Sequence, residues 1–404
     1  MNILLVHNYY RYPGGEDIVV ANEKNMLEKH GHRVVLYTKN NKDIDTSSLF
    51  KKVRLALNSV FSYQTYRDIY TLIKKENIKV VHVHNTLSLI SPSVYYAAIN
   101  AGAVVVQTMH NFRMLCPAGT FYRKGKICEK CLKKGMLKGI IRRCYRDSFA
   151  ETAVCVFSMW FNKLFKIYKK VNYIALTEFN KRKLMCSKSI DSSKIYIKPN
   201  FVPTDDNMKE LRNTVKKEDY YLYAGRLESL KGIDIIISAW KLMGENAPKL
   251  IICGNGEKEA LINNAISEGK LHNIEMAGYV DQNTLHEMMA AARALIYPSQ
   301  CYETFGMGII ESYCVGTPVL VSKLGNPGML VKEGETGYKF IHDNPEDLVE
   351  KINMMQKLSD EEYSALSRKA YYCYFKNFTE EANYLKLMDI YKNLLHNKEN
   401  EKRK

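Results

Sequence analysis

The densest concentration of chemistry-bearing residues lies in the run Pro298-Ser299-Gln300-Cys301-Tyr302-Glu303-Thr304-Phe305-Gly306-Met307-Gly308-Ile309-Ile310-Glu311, followed by Gly316-Thr317-Pro318. Two glutamates are separated by seven residues across a strand end, a glycine-containing turn and the first turns of a helix. In that setting Glu303 can accept hydrogen bonds from sugar hydroxyls and Glu311, further along the helix, can reach a ribose. The N–H groups of Phe305, Gly306 and Met307 are available to a phosphate at the helix start. A solvated helix face explains one glutamate but explains the whole string poorly. Upstream, Gly225-Arg226-Leu227-Glu228-Ser229-Leu230-Lys231-Gly232 sets a guanidinium fork and an ammonium between a strand and a helix, where the two can hold a diphosphate. The plain alternative is a pair of solvated loop charges.

Three further groups stand apart from that string. Pro13-Gly14-Gly15-Glu16 follows the first apolar strand, and paired glycines there admit a ligand close to the backbone at a helix start. A tight loop without a ligand is the other reading, and the absence of GxGxxG disfavours a nicotinamide or flavin cofactor. His110 follows the run AVVVQT, and His82 and His84 alternate along KVVHVHN, so both point to one side. Cys116, Cys128, Cys131 and Cys144 form a C-x11-C-x2-C-x12-C set in a basic, turn-rich segment. Such a set can make a closed tetrahedral zinc site, or remain four thiols near a surface loop.

These residues need elements to hold them. Short β-branched runs alternate with amphipathic stretches along the whole chain, the pattern of parallel sheets built from βαβ units. One series runs from NILLV (2–6) to KIYI (194–197) and a second from YYLYAG (220–225) to PVLVS (318–322). The fold class expected is α/β, with two facing doubly wound, Rossmann-like domains and a cleft between them. The first spans 1–202 with a basic, cysteine-rich insertion at about 113–147. A polar linker follows at 203–218, a second domain at 219–378, and a carboxy-terminal helix with a charged tail at 379–404. Ligands in such sheets bind beyond the carboxyl ends of the strands, where Gly15, His110, Arg226, Lys231 and Glu303 all fall.

The chain has 404 residues, 46% apolar and 25% charged, which excludes a disordered or fibrous protein. Its formal charge of +16 is unevenly spread. Residues 51–200 hold 28 basic and 7 acidic side chains, while residues 201–404 are slightly acidic. A polyanionic partner is expected for the basic segment. Within it, Phe157, Trp160, Phe161, Leu164, Phe165 and Tyr168 share one helical face with lysines opposite. That helix can lie on an anionic membrane or pack its aromatic face on the sheet. Residues 1–30 do not read as a signal peptide and no run is long enough to span a membrane, so a cytoplasmic protein is expected, peripheral at the inner face of the cytoplasmic membrane.

Taken together, PGGE, AGRLESLKG, CGNG and YETFGMGIIE followed by GTPV resemble the retaining, nucleotide-sugar-dependent glycosyltransferases of family 4, which have the GT-B fold. The resemblance covers nearly the whole chain with the elements in order, and the carboxy-terminal half is the more specific. It implies transfer of a sugar from a nucleotide-diphosphate donor, UDP- or GDP-linked, to a lipid-linked or saccharide acceptor in cell-surface polysaccharide or glycolipid assembly. Under it, Arg226, Lys231 and Gly15 serve the donor diphosphate. Glu303 and His110 serve the donor sugar, and Phe305, Gly306, Met307 and Glu311 the sugar and nucleotide. It implies no catalytic metal, and Asp43-Ile44-Asp45 lacks a strand-end setting and reads as surface loop. Pro298-Ser299 lies one residue further from Glu303 than in many members, which leaves the positions of Cys301 and Tyr302 open. Two other functions are weighed against this one. One is a catalytically silent, membrane-docked scaffold of the same fold. The other is a basic nucleic-acid-binding protein, disfavoured because no nucleic-acid-reading module is present and the two glutamates would have no role.

Overall fold

A computed structural model describes residues 1–11, 14–204 and 206–403; Tyr12 and Pro13 of the first loop, Asp205 of the linker and the terminal Lys404 fall outside them. The chain forms two compact units. One comprises Met1–Phe121, Cys128–Asn200 and Asn383–Lys404, the other Tyr122–Ile127 and Phe201–Ala382.

The first unit is a six-stranded sheet of β1 (Asn2–Tyr9), β2 (Arg33–Asn40), β3 (Val80–Val83), β4 (Val104–Thr108), β7 (Asn172–Ala175) and β8 (Ile195–Ile197), ordered β2-β1-β3-β4-β7-β8; β5 (Tyr122–Arg123) and β6 (Lys126–Ile127) form a separate two-stranded hairpin. All pairings in the six-stranded sheet are parallel. β1 and β3 are covered on both faces, so their inward and outward residues are alike buried, and this is why NILLV and VVHV do not alternate apolar with exposed polar residues. The strand order reverses between β1 and β3.

The second unit is built the same way from β9 (Tyr220–Ala224), β10 (Lys249–Cys253), β11 (Ile274–Gly278), β12 (Ala294–Tyr297), β13 (Val319–Ser322) and β14 (Gly337–Phe340). Its order, β11-β10-β9-β12-β13-β14, is again parallel throughout and reverses between β9 and β12. Trp240, fully buried on helix Ile233–Met243, packs beside Tyr221 and donates its indole N–H to Pro248 O at 3.0 Å.

Some boundaries differ from those expected from sequence. β1 continues past His7 to Tyr9, and β14 and the β5–β6 hairpin are additional. The stretch read as a polar linker folds into helix Asp206–Thr214, because Met208 and Leu211, three residues apart, bury on one side of it. The last helix, Glu380–Arg403, does not stand as a separate element: from Asn383 onward it belongs to the first unit, where Leu387, Tyr391 and Leu394 are buried.

Candidate active site

In the second unit the loops after β9 and β12 emerge side by side at the reversal of strand order, the position where doubly wound sheets bind ligands. Glycines let them touch. Gly232 has φ +81°, and a Cβ there would lie 1.9 Å from Pro298 O; at Gly254, φ +129°, it would lie 2.0 Å from Gly225 O. The AGRLESLKG, CGNG and Pro298 loops are thus stacked backbone to backbone, with Gln300 N–H donating to Leu230 O at 3.0 Å.

This packing brings Lys231 to Glu303. Lys231 Nζ donates to Glu303 Oε1 at 2.6 Å, and Ser299 Oγ donates to the same oxygen at 2.9 Å. Burial alone would raise the Glu303 carboxyl. The opposing Lys231 charge, the bonds from Lys231 and Ser299 and the more distant Arg226 hold it below the usual carboxylate range. Burial likewise disfavours the Lys231 ammonium, and Glu303 overcomes that and raises it. Glu303 is therefore ionised, with Oε1 saturated by protein donors and Oε2 left to accept from a ligand. Arg226 is mostly exposed and donates to Glu228 Oε1 at 2.8 Å, a pair that an incoming diphosphate can replace. Lys231, Gly225, Pro298 and Ser299 line a cavity of about 50 Å³ with Tyr223 and Tyr297.

Behind Glu303, Asn326 donates its side-chain amide to Glu303 O at 3.1 Å and also to Thr304 O, fixing the loop that leads to helix Met307–Cys314. That helix begins at Gly306, whose φ of +127° and nearby Ile309 and Leu330 side chains leave no room for a larger residue. Phe305 is buried, while Glu311 is partly covered and desolvation pushes its carboxyl up to about 7. Cys301, left open by the sequence, is buried against Ser299 Oγ at 3.6 Å, and Tyr302 is half-buried.

In the first unit Gly14 and Gly15 open helix Gly15–Lys29, with free space where their Cβ atoms would be. The carboxylate of Asp17 already accepts the Gly14 N–H at 2.9 Å and bonds His7 Nε2 at 2.7 Å. The next carboxylate, Glu16, accepts from Tyr10 Oη at 2.9 Å, and desolvation pushes it up to about 8 despite the Tyr10 bond and the Arg113 charge. A largely neutral Glu16 lessens the repulsion that an anion near Gly15 would meet. His110, beyond β4, lines a cavity of about 90 Å³ together with His84, Tyr95, Gln107, Arg113 and Ser158.

The cysteines are neighbours rather than an assembled ligand set. None of the four is in a disulfide, with Cys116 buried and Cys128, Cys131 and Cys144 half-buried. Burial raises the Cys116 thiol against N–H groups of Phe121, Ala118 and Gly119 that point at its sulfur. Burial, then the proximity of Cys116, Cys144 and Cys128, pushes Cys131 up to about 12. Sulfurs sharing a tetrahedral zinc lie ~3.8 Å apart. Among the described residues the ligating atoms that converge within 4.8 Å are those of Glu23, His82 and His84.

The aromatic helix differs from its core-packing reading. Helix Phe149–Leu164 buries Thr152, Cys155, Ser158 and Asn162, and leaves Phe157, Trp160 and Leu164 at least half exposed, with Phe165 just beyond. Tyr168 lies past the helix end and is buried. The covered face carries polar residues beside Cys155 and Val156 because it binds backbone: Ser158 Oγ donates to Ser59 O at 3.1 Å and Asn162 Nδ2 to Val60 O at 3.3 Å. These acceptors end helix Leu49–Val60, which also exposes Leu49, Phe50, Val53 and Leu57 along one face, a stripe the sequence reading missed. Leu137 and Ile141 of a third, adjoining helix, Leu137–Ile141, are exposed as well. No helix among the described residues is long and apolar enough to cross a membrane.

Comparison with known proteins gives a match at each half. Residues 13–206 match the Glycosyltransferase Family 4 domain, and residues 205–373 the Glycosyl transferases group 1 domain. An uncharacterized glycosyltransferase of Methanocaldococcus jannaschii is 31% identical over 133 residues, 32% of this chain and 34% of that protein. The lipopolysaccharide 1,2-N-acetylglucosaminetransferase of Salmonella typhimurium is 29% identical over 187 residues, 44% of this chain and 49% of that protein. The matches therefore span about a third to a half of these relatives' length. Among solved structures, Anabaena HepE in complex with UDP is similar in fold, with a TM-score of 0.65 at 16% identity, covering 96% of this chain and 99% of that one.

Proposed function

We propose, from the premise that this chain joins a Glycosyltransferase Family 4 domain to a Glycosyl transferases group 1 domain on a GT-B architecture, that it is a retaining glycosyltransferase using a nucleotide-diphosphate sugar. The observation that carries this reading is the ionised Glu303, tied to Lys231 at the reversal of strand order beside Arg226. Breaking the bond between sugar and diphosphate builds positive charge on the sugar ring and negative charge on the leaving group. Arg226 and Lys231 stabilise the latter. The second oxygen of Glu303 accepts sugar hydroxyls and orients the ring. Glu311 accepts from the ribose, and the N–H groups at Gly306 and Met307 meet phosphate or sugar. The donor phosphate itself takes the acceptor proton, so no enzyme nucleophile is needed. His110 and Gly15 take the donor roles that the family resemblance implies for them.

Thermal stabilisation by a panel of uridine, guanosine and adenosine diphosphate sugars tests the donor half. A shift is expected with one uridine or guanosine donor and is lost in Glu303→Ala. Because an ionised Glu311 accepts from ribose more strongly than a neutral one and desolvation pushes its carboxyl up to about 7, the same shift should grow between pH 6 and pH 8, and Glu311→Gln should flatten that dependence. No shift with any donor, beside strong salt-dependent RNA binding, would overturn the enzyme reading.

The acceptor in this reading is lipid-linked or a surface saccharide, reached at an anionic membrane face. The exposed apolar stripes of helices Leu49–Val60 and Phe149–Leu164, flanked by exposed Lys51, Lys52, Arg54, Lys163 and Lys166, support it. Co-sedimentation with vesicles containing about a third phosphatidylglycerol should be at least tenfold stronger than with neutral vesicles, and Trp160→Ser with Leu57→Ser should abolish it. Equal binding to both vesicle types would count against the membrane. A structural zinc held by Cys116, Cys128, Cys131 and Cys144 is part of the same proposal, since their sulfurs would close together on the ion. Metal analysis of protein purified without chelator should find close to one equivalent, and less than a tenth would refute it.

A further inference from the structure

Two groups of polar residues in the first unit have no part in the donor site. In one, Lys198 Nζ donates to Glu23 Oε2 and to Asn383 Oδ1, each at 2.9 Å, and both charges are almost fully enclosed. That is an internal ion pair, tying the first and last helices to the chain beyond β8. The other group borders open space. The cavity of about 90 Å³ beyond β3 and β4 is bounded by Asn85 and Leu87 from one loop, His110 and Arg113 from the next, and Ser59 and Ser158 from helices Leu49–Val60 and Phe149–Leu164. A single water needs ~10–15 Å³ of such space, so the cavity takes a group of several heavy atoms.

Much of the polar lining is already committed. Gln107 Nε2 donates to His84 O at 2.9 Å and to Thr108 O at 2.8 Å, and Gln107 Oε1 accepts from Tyr95 Oη at 2.7 Å. Arg113 differs. It brings a fixed positive charge to the wall, and among the described residues no carboxylate lines the cavity. Its Nε hydrogen is enclosed and meets no acceptor among the described residues. A ring rather than an acid holds the guanidinium, which lies over Tyr145 at 5.4 Å from the ring centre, and Asn111 Oδ1 fixes the Arg113 backbone N–H at 3.0 Å. Tyr10 shares its hydroxyl between the guanidinium and Glu16, and desolvation keeps that carboxyl largely neutral by pushing it up to about 8. The neighbours of Arg113 are thus a phenol, an aromatic ring and an uncharged acid, none of which balances it. A buried donor without an acceptor forfeits its hydration, and a cation without a counter-ion forfeits more; an anion entering the cavity restores both.

We propose that this cavity takes a phosphate group through Arg113, and that the phosphate belongs to the sugar acceptor. The first half stands on the cavity alone; the second rests on the transferase reading. A guanidinium fork pairs with phosphate oxygens two at a time, and the excess of basic side chains in residues 51–200 favours the more highly charged anion over a carboxylate. The setting fits an acceptor carried on a lipid. Ser59 and Ser158 reach the cavity from the two helices whose outer faces expose Val53, Leu57, Phe157 and Trp160. A helix with its side chains is ~10–12 Å thick, so a membrane touching those faces lies within reach of a headgroup that enters the cavity. Arg113 in this role selects the acceptor and takes no part in breaking the donor bond.

Calorimetric titration of the full chain at pH 7 with farnesyl phosphate, farnesol and inorganic phosphate tests this. Farnesyl phosphate is expected to bind about tenfold or more tightly than farnesol, and the two should agree within about twofold in Arg113→Gln. Arg113→Lys keeps the charge without the fork and should retain only part of the preference. Tighter binding of farnesyl phosphate than of inorganic phosphate supports the proposal with a lipid as the source; equal binding of the two supports it with a water-soluble phosphorylated saccharide as the source. In the chain labelled with ¹⁵N at arginine, the Nε–H resonance missing from Arg113→Lys should move when farnesyl phosphate is added, a readout that does not depend on the folding of Arg113→Gln. Equal binding of farnesyl phosphate and farnesol to the unaltered chain, a preference that survives in folded Arg113→Gln, or an unmoved Arg113 resonance overturns the proposal. Stabilisation by nucleotide-diphosphate sugars, read on the same samples, tests the transferase reading separately: its absence defeats that reading, and the phosphate titrations still decide what the cavity binds.

Discussion

Lys231→Ala is expected to lower kcat/KM by about 10³-fold or more, the largest catalytic effect of any single change in the second unit. Two losses combine. The leaving diphosphate loses an ammonium where negative charge develops, an effect worth about 10²- to 10³-fold for one well-placed donor. Glu303 also loses the 2.6 Å partner that holds it ionised against burial. Without Lys231 its carboxyl titrates upward, so the variant's loss relative to the unaltered protein should shrink as pH rises from 6 to 9. Lys231→Arg should rescue poorly, because a planar fork does not fit between Glu303 Oε1 and the diphosphate as a point charge does. Steady-state rates across that pH range decide the matter; a loss below tenfold, or one independent of pH, would disprove the coupling of Lys231 to Glu303.

The second large effect is on stability. Lys198→Met leaves the Glu23 carboxylate buried without its cation, and such a broken pair costs about 3–5 kcal/mol. Urea denaturation of the first unit should register that loss, and the double change Lys198→Met with Glu23→Gln should recover most of it. The pH dependence has a definite sign. The folded-state Glu23 pKa is depressed, so its contribution is present above the unfolded carboxylate value and disappears as pH falls through the depressed one. In Lys198→Met that dependence should shrink, because the carboxylate can be neutralised by protonation. A variant as stable as the parent at pH 7 would mean that Glu23 takes up a proton without strain.

Much of the second unit was legible in the chain order. The strand runs, the glycines at 232, 254 and 306 and the two glutamates are local features: backbone periodicity and turn chemistry act over a few residues, and each can be read from its neighbours. The same local logic failed at helix Asp206–Thr214, where a polar composition hid two apolar residues three apart. It also missed helix Leu49–Val60, whose exposed apolar face becomes informative only when the buried face is known. Asn326 gave no signal either, since its amide meets the carbonyls of Glu303 and Thr304 from 22 to 23 positions away.

The first unit divides more sharply. Sequence alone placed His84 and His110 near the carboxyl ends of two strands, because the apolar runs that precede them mark those strands. What it could not show was the dry cluster beside them. Only the tertiary structure brings Glu23 from the first helix, Lys198 from beyond the last strand of the sheet and Asn383 from the final helix together. The physical reason is distance along the chain. Lys198 lies 175 residues from Glu23, and no local preference specifies such a pairing. Residue types and their spacing determined which chemistry was available to this protein; burial and long-range contact decided which of its charged groups carry a proton, and therefore which of them can act.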